Sequence, residues 1–337
     1  MKANVTMRDI AERLGISSVT VSKALGDKEG VSEELKEKIK QVASEMGYRL
    51  NMAAKSMRVG LTYNIGVIVS ERFTQMTNSF YLRFYEQISK ALEEYRYSAI
   101  LHLLTVEDEA SFALPRICQE RKVDGLIVLG QLGREYIAAL AESDAPLVFL
   151  DFYTEQSGMD CIVTDNFYGM YEMTNYLIKS GHRELAFVGN LYATSSIQDR
   201  FLGFYKSLLE HRLPLGPDRV ISDRSDDGRT METFALPDAL PTAFVCNCDQ
   251  TAFNLISHLN KRGIRVPEDC SVVGFDNDLF STLCDPPLTT VEVNMPEMAR
   301  AAARSIIRRL KSKDAAGGRI LVSGKLLLRE SVRRLER

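Results

Sequence analysis

The sequence predicts an α/β fold: a two-lobed, doubly wound parallel-sheet core preceded by an all-α helix-turn-helix head. From residue 63 onward, short β-branched runs alternate with amphipathic stretches of helical period. That alternation marks parallel strands covered on both faces by helices. Eight or more such units, in a chain of 337 residues, call for two lobes rather than one core. Residues 1–60 instead show helical periodicity throughout and no strand pattern.

In the head, Thr6 is placed to cap a first helix, with Asp9 three residues on reaching back to close a capping box. Ile10, Ala11 and Leu14 make its apolar face, and Gly15 ends it. Ser17 caps a second helix with Val21, Ala24 and Leu25 turned inward. Ser32 caps a third, Glu33 and Glu34 suit its first turn, and Leu35, Ile39, Val42 and Met46 form its buried face before Gly47 stops it. The segment 51–58, NMAAKSMR, is short, basic and weakly helical, and is expected to be a hinge.

The core strands are expected at IGVIVS (65–70), SAILHLL (98–104), DGLIVLG (124–130), PLVFLD (146–151) and CIVTD (161–165), then at LAFVGN (185–190), TAFVCNCD (242–249) and SVVGFD (271–276). Helical patterns at 80–95 and 167–179 lie between them. No apolar run approaches the roughly 20 residues of a membrane span, and the polar N-terminus has no leader-like apolar stretch. A cytoplasmic protein without membrane contact is the expectation. Six cysteines without framework spacing are expected to be reduced core residues.

Net charge is −3, which alone would disfavour nucleic acid, but binding phosphates needs only a local basic face. Residues 1–60 hold eleven Lys or Arg against eight Asp or Glu, and the remainder 31 against 37, so the sign reverses at the expected boundary.

The run TMRDIAERLGISSVTVSKAL at 6–25 has the requirements of a helix-turn-helix. Ala11 is small where the helices cross, Gly15 tolerates the left-handed turn, and Val21 locks the second helix. Ser18, Val19, Ser22 and Lys23 then lie on the outer face that would enter a DNA major groove. Any antiparallel helix pair is the bland alternative.

Across nearly its whole length the chain resembles the lactose/purine repressor family of bacterial regulators. In the head the resemblance rests on DIAERLGIS, TVSKAL and NMAAKSMR. In the core it rests on IGVIV, VDGLIVLG, FLD, VTDN, IKSGHRELAFVGN, RFLGF, PTAFVCNCDQTA, GIRVPEDCSVVGFDN and PPLTTVEVN. The resemblance implies that Thr6, Ser17, Thr20 and Ser22 bind phosphates or cap helices beside them. Ser18, Val19 and Lys23 would read bases, Lys23 at guanine and Val19 at a thymine methyl; for Lys23 a phosphate contact is the alternative. Asn51, Ala54, Lys55 and Met57 would belong to a hinge helix in the minor groove, with Met57 as the wedge. Met57 stands where leucine is usual and Lys55 where arginine is usual, and a lysine lacks the bidentate fork.

Ligands of open α/β sheets sit beyond the C-terminal strand ends, where Ser70, Asp151, Asp165, Asn190, Asp249 and Asp276 fall. The resemblance implies that Asp151 and Asp276 bind effector hydroxyls and that Arg200 is the cleft arginine, able to act as a fork. Ser70, Phe73, Ser196 and Cys248 complete the expected effector set. Asp165 and Asp249 are equally suited to capping helices at 167–179 and 251–262. Cys248 stands where the family commonly has an effector-binding asparagine, and Asn247 is not assumed to replace it. Phe80 and Tyr81 could stack on a ligand with Phe73, or pack. Cys246 and Cys248 would share one side of a strand, but two ligands without a nearby histidine make a poor metal site. No metal, cofactor or catalytic residue is expected, since no GxSxG, P-loop or GxGxxG motif is present.

The resulting expectation is a sequence-specific repressor that binds operator DNA as a homodimer, controlled by a carbohydrate-like effector between the lobes. Its domains would be a head at 1–50, a hinge and linker at 51–61 and a core at 62–337. Lobe 1 would take about 62–163 and 291–321, and lobe 2 about 164–290 and 322–337. A sugar-binding transport protein or an enzyme on the same two-lobed fold is the alternative.

Overall fold

The computed structural model describes residues 5–48, 60–73, 80–143, 145–155, 158–225, 230–231, 233–312 and 317–336. The chain divides into two compact units, Met1–Thr62 and Tyr63–Arg337. The expected hinge residues Asn51, Ala54, Lys55 and Met57 lie outside the described residues.

The first unit is three helices, α1 (Met7–Leu14), α2 (Ser18–Leu25) and α3 (Glu33–Glu45). Thr6 and Asp9 form the reciprocal capping box, Gly15 turns left-handed at φ 66°, and Ser17 and Ser32 each accept a bond from the amide three residues on. Ile10, Val21, Ala24 and Ile39 are fully buried and Ala11 and Ala43 nearly so. On α3, Leu35, Val42 and Met46 are only half-buried; Ala43, the smallest apolar residue there, takes the tighter inward place.

The second unit contains two separate parallel sheets. Its strands are β1 (Asn64–Ser70), β2 (Ser98–Leu104), β3 (Gly125–Leu129), β4 (Leu147–Leu150), β5 (Asp160–Thr164), β6 (Leu185–Val188), β7 (Val220–Ile221), β8 (Ala243–Cys246), β9 (Ser271–Val273), β10 (Thr290–Glu292), β11 (Arg319–Val322) and β12 (Lys325–Leu327). Its helices are α4 (Phe80–Glu93), α5 (Val106–Ala110), α6 (Arg116–Gln119), α7 (Arg134–Ala141), α8 (Asn166–Lys179), α9 (Ser195–Glu210), α10 (Asp249–Lys261), α11 (Leu279–Leu283) and α12 (Met295–Lys311).

The larger sheet runs β11-β5-β4-β3-β1-β2 and the smaller β7-β6-β8-β9, while β10 and β12 pair antiparallel outside both. Strand order reverses between β1 and β3 in one sheet and between β6 and β8 in the other. Ligand crevices open at such reversals, beyond the C-terminal strand ends. Ser70 and Gly130 end one pair; Asn190 and Asn247 follow the other. The chain passes between the sheets after β5, between β9 and α12, and after β11, and its tail returns to the smaller sheet where Val272 N–H donates to the Ser331 carbonyl.

All eight strands expected from sequence are present; β7, β10, β11 and β12, of two to four residues each, are additional. Apolar side chains fill the sheet faces, Ile65, Val67, Ile127 and Val148 against α4 and α12, and Val188, Phe244 and Val272 against α10. Helices α8 and α9 approach unusually closely. A Cβ on Gly203 would lie 2.1 Å from the Phe167 carbonyl oxygen, so only glycine lets the two backbones meet.

Candidate functional site

The helical unit presents its polar side chains outward on α2. Val19 is 63% exposed, and Ser18 and Lys23 are exposed with it. Ser22 and Thr20 are half-buried. Three of the expected phosphate-binding hydroxyls already work within the head. Thr6 Oγ1 accepts from the Asp9 amide, and Ser17 Oγ accepts from the Thr20 amide while pairing with the Thr20 hydroxyl at 2.9 Å.

In the second unit, residues beyond the ends of both sheets converge. Ser70 is fully buried, and its hydroxyl accepts from Arg72 Nε at 3.1 Å. Arg72 in turn closes a tight ion pair on Glu109, and its guanidinium lies 5.6 Å from the Phe73 ring. Phe73 leans on Tyr81, ring centres 5.3 Å apart. The Tyr81 hydroxyl donates to Asp151 Oδ2 at 3.0 Å, while Asp151 Oδ1 is buried with no partner. Burial raises the Asp151 carboxyl to about 7, Arg200 pulling it back and Asp276 pushing it further. The backbone at Asp151 is left-handed, φ 69°, and at Asp276 φ is 108°. Non-glycine residues held in that region are strained and concentrate at ligand sites.

Arg200, on α9, is the hub of the opposite wall and is buried. Its Nε donates to Asn166 Oδ1 at 2.8 Å, one Nη to the Asn247 carbonyl at 2.6 Å, and the other to Asp276 Oδ1 at 3.0 Å. The guanidinium carbon sits 3.9 Å from the centre of the Phe275 ring. All three nitrogens therefore have protein partners, and the fork expected for a ligand is already engaged. Burial raises Asp276 while Arg200 opposes it. Ser196, one turn before Arg200, shares a hydroxyl pair with Thr194 at 3.0 Å.

Two expectations for the segment after β8 need correction. Asp249 is not a helix cap: Cys248 occupies the cap position, without a side-chain bond, and Asp249 is the first residue of α10. Fully buried, Asp249 accepts from Thr290 Oγ1 at 2.7 Å and from the Asp278 amide at 3.0 Å, tying the loop after β9 to β10. Cys246 and Cys248 do not share a strand face either, because β8 ends at Cys246, which is buried in the apolar cluster. Asp165, by contrast, does cap α8, accepting from the Tyr168 amide.

Sequence reasoning missed Arg224. Its guanidinium donates twice to Asp223 Oδ2, at 3.0 and 2.8 Å, and reaches Asn247 Oδ1 at 3.3 Å and the Cys248 sulfur at 3.7 Å. Burial works against the Asp223 charge, but Arg224, Thr251 and Asn247 together hold its carboxyl below the ordinary value. Burial lifts the Cys248 thiol to about 11 despite Arg224. Asn247 cannot stand in for the missing asparagine, since its amide donates inward to the Val188 carbonyl and to Asp223. A lone arginine after a two-residue strand gave no pattern from which this arrangement could be read.

Residues 6–51 match the family model described as bacterial regulatory proteins, lacI family, and residues 174–332 match a periplasmic binding protein-like domain. Over 314 residues the chain is 30% identical to the HTH-type transcriptional repressor PurR of Vibrio cholerae serotype O1 (strain M66-2), covering 92% of each chain. The lac repressor dimer bound to operator and the anti-inducer ONPF superposes with a TM-score of 0.76 at 22% identity, covering 98% of this chain and 99% of that one. The complex of the transcriptional regulator CelR with cellobiose gives a TM-score of 0.68 at 22% identity, covering 97% of this chain and 100% of that one. At such identities these two structures speak to the fold. No helix among the described residues is long and apolar enough to cross a membrane.

Proposed function

The chain belongs to the lacI family of bacterial regulatory proteins, and from that premise we propose that it is a transcriptional repressor, binding a pseudo-palindromic operator as a homodimer under the control of a small effector held between its two sheets. The observation that carries this reading is the outward face of α2, where Val19, Ser18 and Lys23 stand exposed on a short helix fixed from beneath by Val21 and Ala24. Such a face offers a methyl surface and a cation to base edges. Two-fold operator symmetry follows from a two-fold protein.

A dimer is supported by exposed apolar side chains on elements at the β2 edge of the larger sheet, Leu82, Leu103, Val106 and Phe112, and on α11, Leu279 and Leu283. The effector reading is supported by the unpartnered Asp151 oxygen opposite Arg200, Asp276 and Arg224. Arg200 and Arg224 each already have a carboxylate partner. A hydroxyl-rich, carbohydrate-like molecule, donating to Asp151, therefore suits the cleft. Ligand affinity that differs between two closure states would change operator affinity through the segment 51–61.

Binding of Lys23→Ala to a selected operator and to random DNA tests the DNA claim. Relaxed sequence preference supports base reading; uniform weakening on all DNA makes Lys23 a phosphate contact. A thermal-shift screen against sugars, sugar acids, sugar phosphates and nucleobases tests the sensing claim. A ligand at a hundredfold excess over its Kd stabilises the native state by about 2.7 kcal/mol, and no response to any class would count against small-molecule control.

A further inference from the structure

Among the described residues, three hydrogen bonds link elements of the larger sheet's side to elements of the smaller sheet's side, and none of the three uses a residue expected to bind the effector. The Tyr153 hydroxyl, just after β4, donates to Asp199 Oδ1 on α9 at 3.0 Å. The Ser195 amide, at the start of α9, donates to Gln131 Oε1, just after β3, at 2.9 Å. Arg83 on α4 reaches the Asn277 carbonyl at 3.5 Å, the longest and weakest of the three. Arg319, from β11 of the larger sheet, places its guanidinium 5.0 Å from the Tyr153 ring centre. A cation over that ring holds the phenol in place, and it also faces Asp199 electrostatically.

We propose that Tyr153, Asp199 and Arg319 form a latch at the cleft rim, which with Gln131 and Ser195 holds the two sheets together before any effector arrives. The proposal rests on reading the cleft as the effector site and concerns how access to it is regulated. Asp199 is only one residue from Arg200, yet the two point to different tasks: Arg200 is bound within its own wall and to Asp276, whereas Asp199 reaches across. Burial raises the Asp199 carboxyl, with the Tyr153 hydroxyl and then Arg319 drawing it back, as expected for an acid paired in a partly closed gap. The latch sets the resting balance between open and closed arrangements. An effector then acts only through the difference in its affinity for the two.

The test uses the full chain and needs no effector. Hydrogen exchange is followed by mass spectrometry on the peptide 191–198, which contains the Ser195 amide, in wild type, Tyr153→Phe and Asp199→Ala. Tyr153 bonds to Asp199 and the Ser195 amide to Gln131, so a rise in exchange there in Tyr153→Phe reports the sheets parting as bodies. The expected rise is about three- to tenfold, the factor carried by one hydrogen bond of ordinary net strength, with a larger radius of gyration in solution scattering. Unchanged exchange and radius in both variants would overturn the latch. So would an equal rise in the β3 and β8 peptides, which would mean a loosened fold. Asp199→Ala removes the acceptor outright and carries the test if the phenylalanine variant folds poorly. Failure here leaves the effector reading intact, whereas a silent ligand screen with altered exchange would retain the latch and remove its ligand.

Discussion

The outer face of α2 and the wall around Arg200 hold their polar groups in opposite states. Ser18, Val19 and Lys23 are exposed. Ser70, Asp151, Arg200 and Asp276 are buried, or nearly so, and tied to side chains of other elements. A reader built on the surface can change its residues without disturbing its fold. In the cleft, any change in what is bound is also a change in what holds the wall together.

The sharpest way to break that comparison is Arg200→Ala. It strips partners from Asn166, the Asn247 carbonyl and Asp276 at once, and removing one member of a buried ion pair costs about 3–5 kcal/mol. The second unit should lose that much in chemical denaturation as well as its response to any effector. Full stability with only the response lost would show that the wall is not held by its own binding residues.

Asp151 gives a second test. Its carboxyl has a folded value of about 7 against an ordinary 3.8, so between those pH values the native state binds more protons than the unfolded chain. Stability should therefore fall as pH rises through that window and level off above it. Tyr81, Arg200 and Asp276 are the groups that face Asp151. Asp151→Asn should flatten part of the slope in pH-dependent denaturation, leaving the part due to Asp278, which burial also raises to about 7, and to Asp199, Asp249 and Asp276, which burial raises as well. An unaltered slope would mean that Asp151 is better solvated than its burial indicates.

Smaller effects belong to the head. Thr6→Ala removes a capping box and should cost about 1 kcal/mol in thermal unfolding of the helical unit. Val19→Ala should change stability by less than about 0.5 kcal/mol while weakening operator binding measurably. If Val19→Ala destabilises the head more than Thr6→Ala does, α2 is not a free surface and the contrast with the cleft fails.

The same contrast explains how much was legible in the sequence. Caps, turns and apolar faces are local, so Thr6, Gly15, Ser17 and Ser32 could be assigned from residues three or four positions apart, and eight of the strands from their β-branched runs. The cleft is non-local. Sequence gave no sign that Tyr81 would take one oxygen of Asp151, that Asp223 would anchor Arg224 beside Cys248, or that Tyr153 would reach Asp199. Asp249 misled for a related reason. An aspartate before a helical run suits a cap, and only the fold reveals Thr290 and the Asp278 amide competing for it.

The close meeting of α8 and α9 at Gly203 has a consequence for how such a cleft can diversify. Arg200 lies one turn before that contact, on the same helix, and Asn166, which receives its Nε, lies at the start of the other. Any side chain at 203 would wedge the helices apart and carry donor and acceptor away from each other. Neither Arg224 nor Cys248 sits at such a backbone meeting, although Arg224 is tied to the buried Asp223 carboxylate, whereas Cys248 makes no cap bond and its sulfur has only weak partners. Substitution is therefore confined where a glycine or a buried carboxylate fixes the partner, at 200, 203 and 224, and is least constrained at 248.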